Sequence, residues 1–164
     1  MQYIPWRNVQ NWQCKACGYC CKLYSVVLNF GEYLRLTQTY GQNAAVTDFT
    51  RFYIQRHSNG DCVFLGCKSL KYYCGLQQMK PEACKIWPFK VTAEPKYGEA
   101  DLAAYDLNGR EIYVYVDNMC NGVKYGTPTW EFQNQILREF VELAVRTREF
   151  QHHATGRIGF EWRK

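Results

Sequence analysis

The feature that most constrains this chain is a run of four cysteines near its amino terminus. The run reads Cys14-x-x-Cys17-x-x-Cys20-Cys21, and Cys62, Cys67, Cys74, Cys84 and Cys120 follow it. A spacing of three lets successive thiolates converge from a tight turn on one metal centre. Three such thiolates plus a distant cysteine are typical of four-iron clusters, whereas CxxC pairs also surround tetrahedral zinc. The sequence therefore predicts that these cysteines are metal ligands, without naming the metal.

The compartment in which the chain works bears on whether the cysteines are thiols or disulfides. Residues 1–13 contain no apolar run that could serve as a secretory signal, and no stretch is long enough to span a membrane. We therefore expect a soluble cytoplasmic protein with no membrane partner. Disulfides are disfavoured in a reducing cytoplasm, and an odd count of nine cysteines leaves one unpaired. Metal ligation explains the thiols better than disulfide pairing.

The length of 164 residues favours a single domain, 1–164, with an ordinary hydrophobic core. Within it, residues 14–89 form a cysteine-rich metal-binding region. We predict a short strand at 23–30 and a helix at 31–40 that stops at Gly41. The aromatic run at 49–56 fits a strand or a helix, and we favour a strand. A turn follows at Asn59-Gly60, and residues 61–89 are expected to be irregular.

The second half has clearer periodicity. Residues 89–116 alternate in polarity around the pair Asn108-Gly109, a strong hairpin signal, and predict an antiparallel β meander. Residues 127–150 open with Thr127-Pro128 and predict a long amphipathic helix. Its apolar stripe contains Phe132, Ile136, Phe140, Leu143 and Ala144, and its polar face contains Glu131, Arg138, Glu142 and Arg146. A partly ordered basic tail, 151–164, completes an α+β fold made of an irregular cysteine-bearing lobe, a small antiparallel sheet and a C-terminal helix.

The adjacent pair Cys20 and Cys21 bears on the number of metal sites. In extended backbone, neighbouring side chains point to opposite faces, so the two thiols could hardly serve one ion. Either each completes a different site, or one is a buried, inert thiol. Eight of the nine cysteines would fill two four-coordinate sites. Cys67 and Cys120 are the weakest candidates because neither belongs to a tight spacing motif.

Several motifs resemble the YkgJ-like CxxCxxCC proteins, which are described as zinc- or iron-chelating domains. The string CKACGYCC at residues 14–21 is followed by Gly60-Asp61-Cys62-Val63-Phe64-Leu65, by Cys74 with Lys80-Pro81, and by Cys84-Lys85-Ile86-Trp87-Pro88-Phe89. The resemblance implies that Cys14, Cys17, Cys20, Cys21, Cys62, Cys74 and Cys84 are ligands. Cys67 is not carried over, while Cys120-Asn121-Gly122 is similar to a late Cys-x-Gly element of some archaeal-type relatives.

This chain also departs from that family pattern. Lys80 and Lys85 stand where the family usually has arginine, and Gln77 stands where it usually has tyrosine. Flagellin lysine N-methylases share a related cysteine run. That more distant resemblance implies an iron-sulfur centre, but nothing outside the cysteines supports methyl transfer.

The formal charge of +5 raises the possibility of nucleic-acid binding, with the basic residues of 146–164 as its footprint. Eight metal-bound thiolates and two dications would lower this charge to about +1, because bound thiols are deprotonated. Lysines beside the cysteines would offset the charge of such centres; they are Lys15, Lys22, Lys68, Lys71 and Lys85.

We therefore predict a metal-binding protein with one or two cysteine-ligated centres, favouring a [4Fe-4S] cluster over zinc. It would act in electron transfer with a redox partner protein or as the metal module of a larger process. The alternatives are a zinc-stapled interaction or nucleic-acid-binding module and an iron-sulfur enzyme such as a methyltransferase. The sequence leaves open whether the chain is an enzyme.

Overall fold

The computed structural model describes residues 3–155, and within it the chain forms two compact units. Unit 1 contains Met1–Lys15 and Ile86–Lys164, and unit 2 contains Ala16–Lys85. Nothing tests the prediction of a single domain, which stays a prediction. Of the predicted basic tail, residues 156–164 lie outside the described residues.

Unit 1 is built around a four-stranded antiparallel sheet. Its strands are β1 (Tyr3–Pro5), β8 (Phe89–Thr92), β9 (Ala104–Leu107) and β10 (Arg110–Asp117), and all of the others pair with β10. The predicted turn at Asn108-Gly109 is confirmed, because it connects β9 to β10 with both residues at positive φ. A second, two-stranded sheet pairs β2 (Val9–Trp12) with β11 (Val123–Tyr125).

The predicted meander is only partly correct. β8 pairs with β10 and not with its neighbour in sequence, β9, and residues Ala100–Ala103 form a short helix, α4. β1 was not predicted. It joins the sheet at the end of β10, where Tyr3 pairs with Asp117. The predicted sheet is therefore present, with a different strand order.

The C-terminal helix is confirmed but shorter than the predicted 127–150. A π-helical segment, Phe132–Ile136, leads into α5 (Leu137–Ala144), and the hydroxyl of Thr129, rather than Thr127, accepts a hydrogen bond from the Phe132 N–H (3.2 Å). Phe132, Ile136, Phe140 and Leu143 are buried against the sheet, as the predicted stripe requires. Aromatic rings form the centre of this core, where the ring centroids of Phe89 and Phe140 lie 4.3 Å apart.

Unit 2 contains three short helices and two small sheets. The helices are α1 (Tyr19–Leu23), α2 (Phe30–Tyr40) and α3 (Glu82–Ile86), whose last residue falls in unit 1. One sheet orders β3 (Val27–Leu28), β5 (Phe52–Ile54) and β4 (Ala45–Thr47), and the other is the hairpin of β6 (Leu65–Lys68) and β7 (Lys71–Cys74). The predicted helix before Gly41, the strand within 49–56 and the turn at Asn59-Gly60 are all present.

Two predictions for unit 2 need correction. The strand expected over 23–30 is only two residues long, because α2 begins at Phe30. Residues 61–89 are not irregular: they contain the β6–β7 hairpin and α3. The hairpin turn is Ser69-Leu70, and both residues have positive φ without being glycine or asparagine, so the usual sequence signal is missing.

Within residues 3–155, no helix combines the length and the apolar character needed to cross a membrane.

Candidate metal centre

Helix α1 brings Cys20 and Cys21 together. Gly18 precedes the helix in the left-handed conformation (φ 71°), and its carbonyl accepts hydrogen bonds from the N–H groups of Cys21 and Lys22. The two sulfur atoms lie 3.9 Å apart. The expectation that these side chains point to opposite faces was wrong, because it assumed extended backbone. Successive side chains on a helix are only about 100° apart.

Cys62 is held beside this helix by the backbone. Its N–H donates to the Cys21 carbonyl at 2.9 Å. Arg56 pairs with Cys62 in an isolated β-bridge, and its guanidinium donates to the carbonyls of Lys22 and Tyr24, at the carboxyl end of α1. Arg56 therefore connects the segment that carries Cys62 to the segment that carries Cys20 and Cys21.

Cys74 ends strand β7, where it pairs with Leu65 of β6. The side-chain amide of Gln77, the residue that departs from the family pattern, donates to the Cys74 carbonyl at 2.8 Å. In this chain Gln77 therefore closes the turn after Cys74.

Cys84 lies on α3, and the start of that helix is fixed by Glu32. One carboxylate oxygen of Glu32 accepts from the Asn29 N–H (2.9 Å), in the capping box of α2. The other accepts from the Glu82 N–H (2.8 Å), at the first residue of α3. A single side chain thus caps two helices and positions the one that carries Cys84.

Five thiols of unit 2 share one electrostatic environment, and we call them the thiol group: Cys20, Cys21, Cys62, Cys74 and Cys84. The charges of Cys74 and Cys20 act on both Cys62 and Cys84. Those of Cys74 and Cys62 also act on Cys21. Cys62 is buried, and Cys21, Cys74 and Cys84 pack against the same core of unit 2. Thiols far apart in sequence are therefore brought into one part of unit 2, where their charges act on one another.

The pKa values in the thiol group follow from its burial and its hydrogen bonds. The hydrogen bond from Cys21 is the main cause that lowers the pKa of Cys20 to about 7, and the same interaction raises the pKa of Cys21. Burial raises the pKa of Cys62 and, more strongly, that of Cys84, and neighbouring thiolates add to both shifts. The first thiolate of the group therefore forms readily. Formation of a second is opposed by burial, which disfavours charge, and by repulsion from the first thiolate.

A cation stands beside the thiol group. The charge of Lys80 lowers the pKa of Cys20 and opposes the raised pKa of Cys84. Lys80 occupies a position where the family usually has arginine. The positive charge is kept, but the planar guanidinium with its several N–H donors is lost. Lys80, Arg56 and Glu32 were not among the predicted site residues. The Lys80-Pro81 motif was the only sequence signal that pointed to one of them.

Four predicted ligands are not members of the thiol group. Cys17 and Cys67 belong to unit 2 but are exposed. Cys14 and Cys120 belong to unit 1, where both pack against its core and the Trp12 indole N–H donates to the Cys120 sulfur at 3.3 Å. All nine cysteines lie within the described residues and are thiols.

The donor chemistry of the thiol group fits a thiolate-bound iron or zinc centre, since five sulfur atoms and a neighbouring cation occupy one partly buried place. The geometry is not yet that of a metal site. Among residues 3–155, no three cysteine, histidine, aspartate or glutamate side chains are already arranged to hold a metal ion. The sulfur atoms would have to draw together when a metal binds.

Comparison with protein families agrees with this description. Residues 13–121 match the CxxCxxCC family, described as a "putative zinc- or iron-chelating domain". A search of curated proteins and a search of solved structures each found no match to this chain. Because the family match covers more than half of the chain and includes all nine cysteines, the chain belongs to the CxxCxxCC family of zinc- or iron-chelating domains.

Proposed function

We propose that unit 2 holds a metal centre ligated by members of the thiol group, that the centre is an iron-sulfur cluster, and that it serves electron transfer with a partner protein. The observation that carries this proposal is the assembly of five thiols in one partly buried place, with the sulfur atoms of Cys20 and Cys21 only 3.9 Å apart. The membership of the chain in a zinc- or iron-chelating family supports metal binding.

The composition of the site favours iron-sulfur. The charged neighbours that act most strongly on Cys20, Cys62 and Cys84 are other thiols, Lys80 and Arg56. Iron-sulfur clusters are commonly held by four cysteine thiolates, and nearby positive charge stabilises the negative charge of such a centre. A bound cluster would supply one-electron transfer. The contribution of the chain is to provide thiolates, to bury Cys62 and partly bury Cys84, and to place the charge of Lys80 near Cys20 and Cys84.

One observation favours zinc as the second candidate. Cys62 is part of the small core of unit 2, and Cys21, Cys74 and Cys84 pack against that core. A metal held there would join α1, the β6–β7 hairpin and α3, which is the role of a structural zinc. In that case the protein would be a zinc-stapled interaction module.

The test is the metal content and visible spectrum of protein purified without oxygen. We expect a brown protein that contains iron and acid-labile sulfide. A colourless protein with stoichiometric zinc would support the second candidate, and a protein that binds neither metal would refute both.

Substitutions can show whether the thiol group is what binds the metal. We expect Cys62→Ser and Cys84→Ser to lose most of the bound metal, because the charges of the other thiols of the group act on both residues. Ala83→Ser is the matched control, since Ala83 is an exposed neighbour of Cys84 on α3. Equal metal content in all three variants would show that the metal is held elsewhere.

A further inference from the structure

Cys67 lies outside both the family pattern and the thiol group, yet its surroundings are organised. It is exposed on β6, directly opposite Tyr72 of β7. Directly opposed residues of antiparallel strands project to the same face of the hairpin. The Cys67 sulfur and the Tyr72 ring therefore lie on one face.

The segment that carries Cys17 packs on that face. The Tyr72 N–H donates to the Ala16 carbonyl at 2.8 Å, and a Cβ atom on Gly18 would lie only 2.8 Å from Cγ of the Tyr72 ring. Cys17 lies between these two contacts and is exposed. The two exposed thiols of unit 2 are thus both placed around Tyr72.

Lys22 completes this exposed region. Its ammonium lies 3.9 Å from the centroid of the Tyr72 ring, and the charge of Cys67 acts on it. The region is also close to the thiol group along the chain. Cys17 is three residues before Cys20, and Tyr72 is two residues before Cys74.

Buried thiols are poorly placed to take a metal ion from another molecule. Transfer between thiolate ligands requires an incoming sulfur atom to reach the metal while the donor still holds it, so at least one accepting thiol must be exposed. Cys62 is only 7% exposed. Cys17 and Cys67 are exposed and can accept a metal ion from another molecule, whereas the members of the thiol group are buried or partly buried.

We propose that Cys17 and Cys67 form an exchange pair, at which a zinc or iron(II) ion carried by a thiol ligand is taken up and passed to the thiol group. This inference rests on the proposed function. In each exchange step, one bond from the metal to the donor sulfur breaks, one bond from the metal to a cysteine sulfur of this chain forms, and the cysteine proton passes to the released thiolate. No electron is transferred.

The test follows the rate at which metal-free protein takes up zinc presented as its glutathione complex, by the ultraviolet absorbance of zinc–thiolate bonds. We expect Cys67→Ser to reach the zinc content of the wild type several-fold more slowly, and Cys17→Ser/Cys67→Ser more slowly still. Leu70→Ser is the matched control, because Leu70 is fully exposed on the same hairpin and carries no thiol. Its rate should equal that of the wild type.

Wild-type rates in both cysteine variants at full zinc content would overturn the exchange pair and leave the proposed function intact. A wild-type chain that takes up no zinc from the glutathione complex, and that also holds no iron when it is purified without oxygen, would refute the proposed function and the exchange pair together. A second measurement uses no variant. In the zinc-loaded wild type we expect iodoacetamide to modify the exposed Cys17 and Cys67 before the members of the thiol group and to slow the release of zinc to excess glutathione, whereas unchanged release would contradict the proposal.

Discussion

At the residue scale, the adjacent cysteines Cys20 and Cys21 govern how the site ionises. Their hydrogen bond lowers the pKa of Cys20 to about 7, whereas the pKa values of Cys21, Cys62 and Cys84 are raised. At neutral pH the metal-free group therefore retains most of its protons. A metal ion binds thiolates, so its binding must displace these protons.

We predict that metal affinity rises with pH from 6 through 8 and beyond, and that binding releases more than one proton per metal ion. The sign follows because the raised pKa values of Cys21, Cys62 and Cys84 keep these ligands protonated throughout that range, where protons compete with the metal. Zinc competition with a chelator at several pH values, and proton release in weak buffer, would measure both quantities. Affinity independent of pH over this range would show that the bound thiols are not those of the thiol group.

Glu139 is a residue whose role the sequence did not reveal. It lies on the apolar side of α5 and is 2% exposed. Its carboxylate accepts from the N–H groups of His152 (2.6 Å) and His153 (2.9 Å) and contacts Nδ1 of His153 at 2.7 Å. A buried carboxylate needs such partners. Of the two histidines, His152 is exposed, whereas His153 is partly buried and paired with Glu139.

At the element scale, α2 and α3 depend on one carboxylate. Asn29→Ala removes the side-chain cap of α2 alone and should cost about 1 kcal/mol of stability. Glu32→Ala removes the acceptor for the N–H groups of both Asn29 and Glu82. We predict that Glu32→Ala lowers metal content more than Asn29→Ala does, because only Glu32 fixes the helix that carries Cys84.

Urea denaturation and metal analysis of the two variants would measure these effects. Asn29→Ala serves as the control for loss of the α2 cap. Equal metal content in both variants would show that the start of α3 does not control the position of Cys84.

At the scale of the whole molecule, the two units have different cores. Among residues 3–155, the core of unit 1 contains thirteen buried residues, including Trp12, Phe132 and Phe140. The core of unit 2 contains seven, one of which is Cys62. Unit 2 therefore buries less apolar surface and relies more on any metal that its thiols hold.

We predict that metal removal lowers amide hydrogen-exchange protection mainly in Ala16–Lys85, and most in α1 and the β6–β7 hairpin. Strand β10, at the centre of the sheet of unit 1, should keep its protection and serves as the internal reference. Hydrogen exchange with mass spectrometry on loaded and metal-free protein would measure the difference. Equal loss of protection in both units would contradict this prediction.

Local signals explain which elements could be predicted. Asn108-Gly109 adopts positive φ at both residues, and Gly41 ends α2, so both boundaries were visible in the sequence. The β6–β7 hairpin was missed because Ser69-Leu70 occupies a turn that normally selects asparagine and glycine. The predicted C-terminal helix extends six residues too far at its carboxyl end, because the amphipathic periodicity continues beyond Ala144 although the helix does not.

The sequence by itself determined the ligand chemistry of this protein: nine thiols, the tight spacing of the first four, the basic residues near them and the family to which they belong. Only the tertiary structure decided which thiols meet. Spacing acts over a turn or two of chain, whereas Cys21 and Cys62 are joined by a backbone hydrogen bond across forty-one positions, and Glu32 positions Cys84 through α3. Such long-range pairing depends on how the whole of unit 2 packs, and no local pattern encodes it.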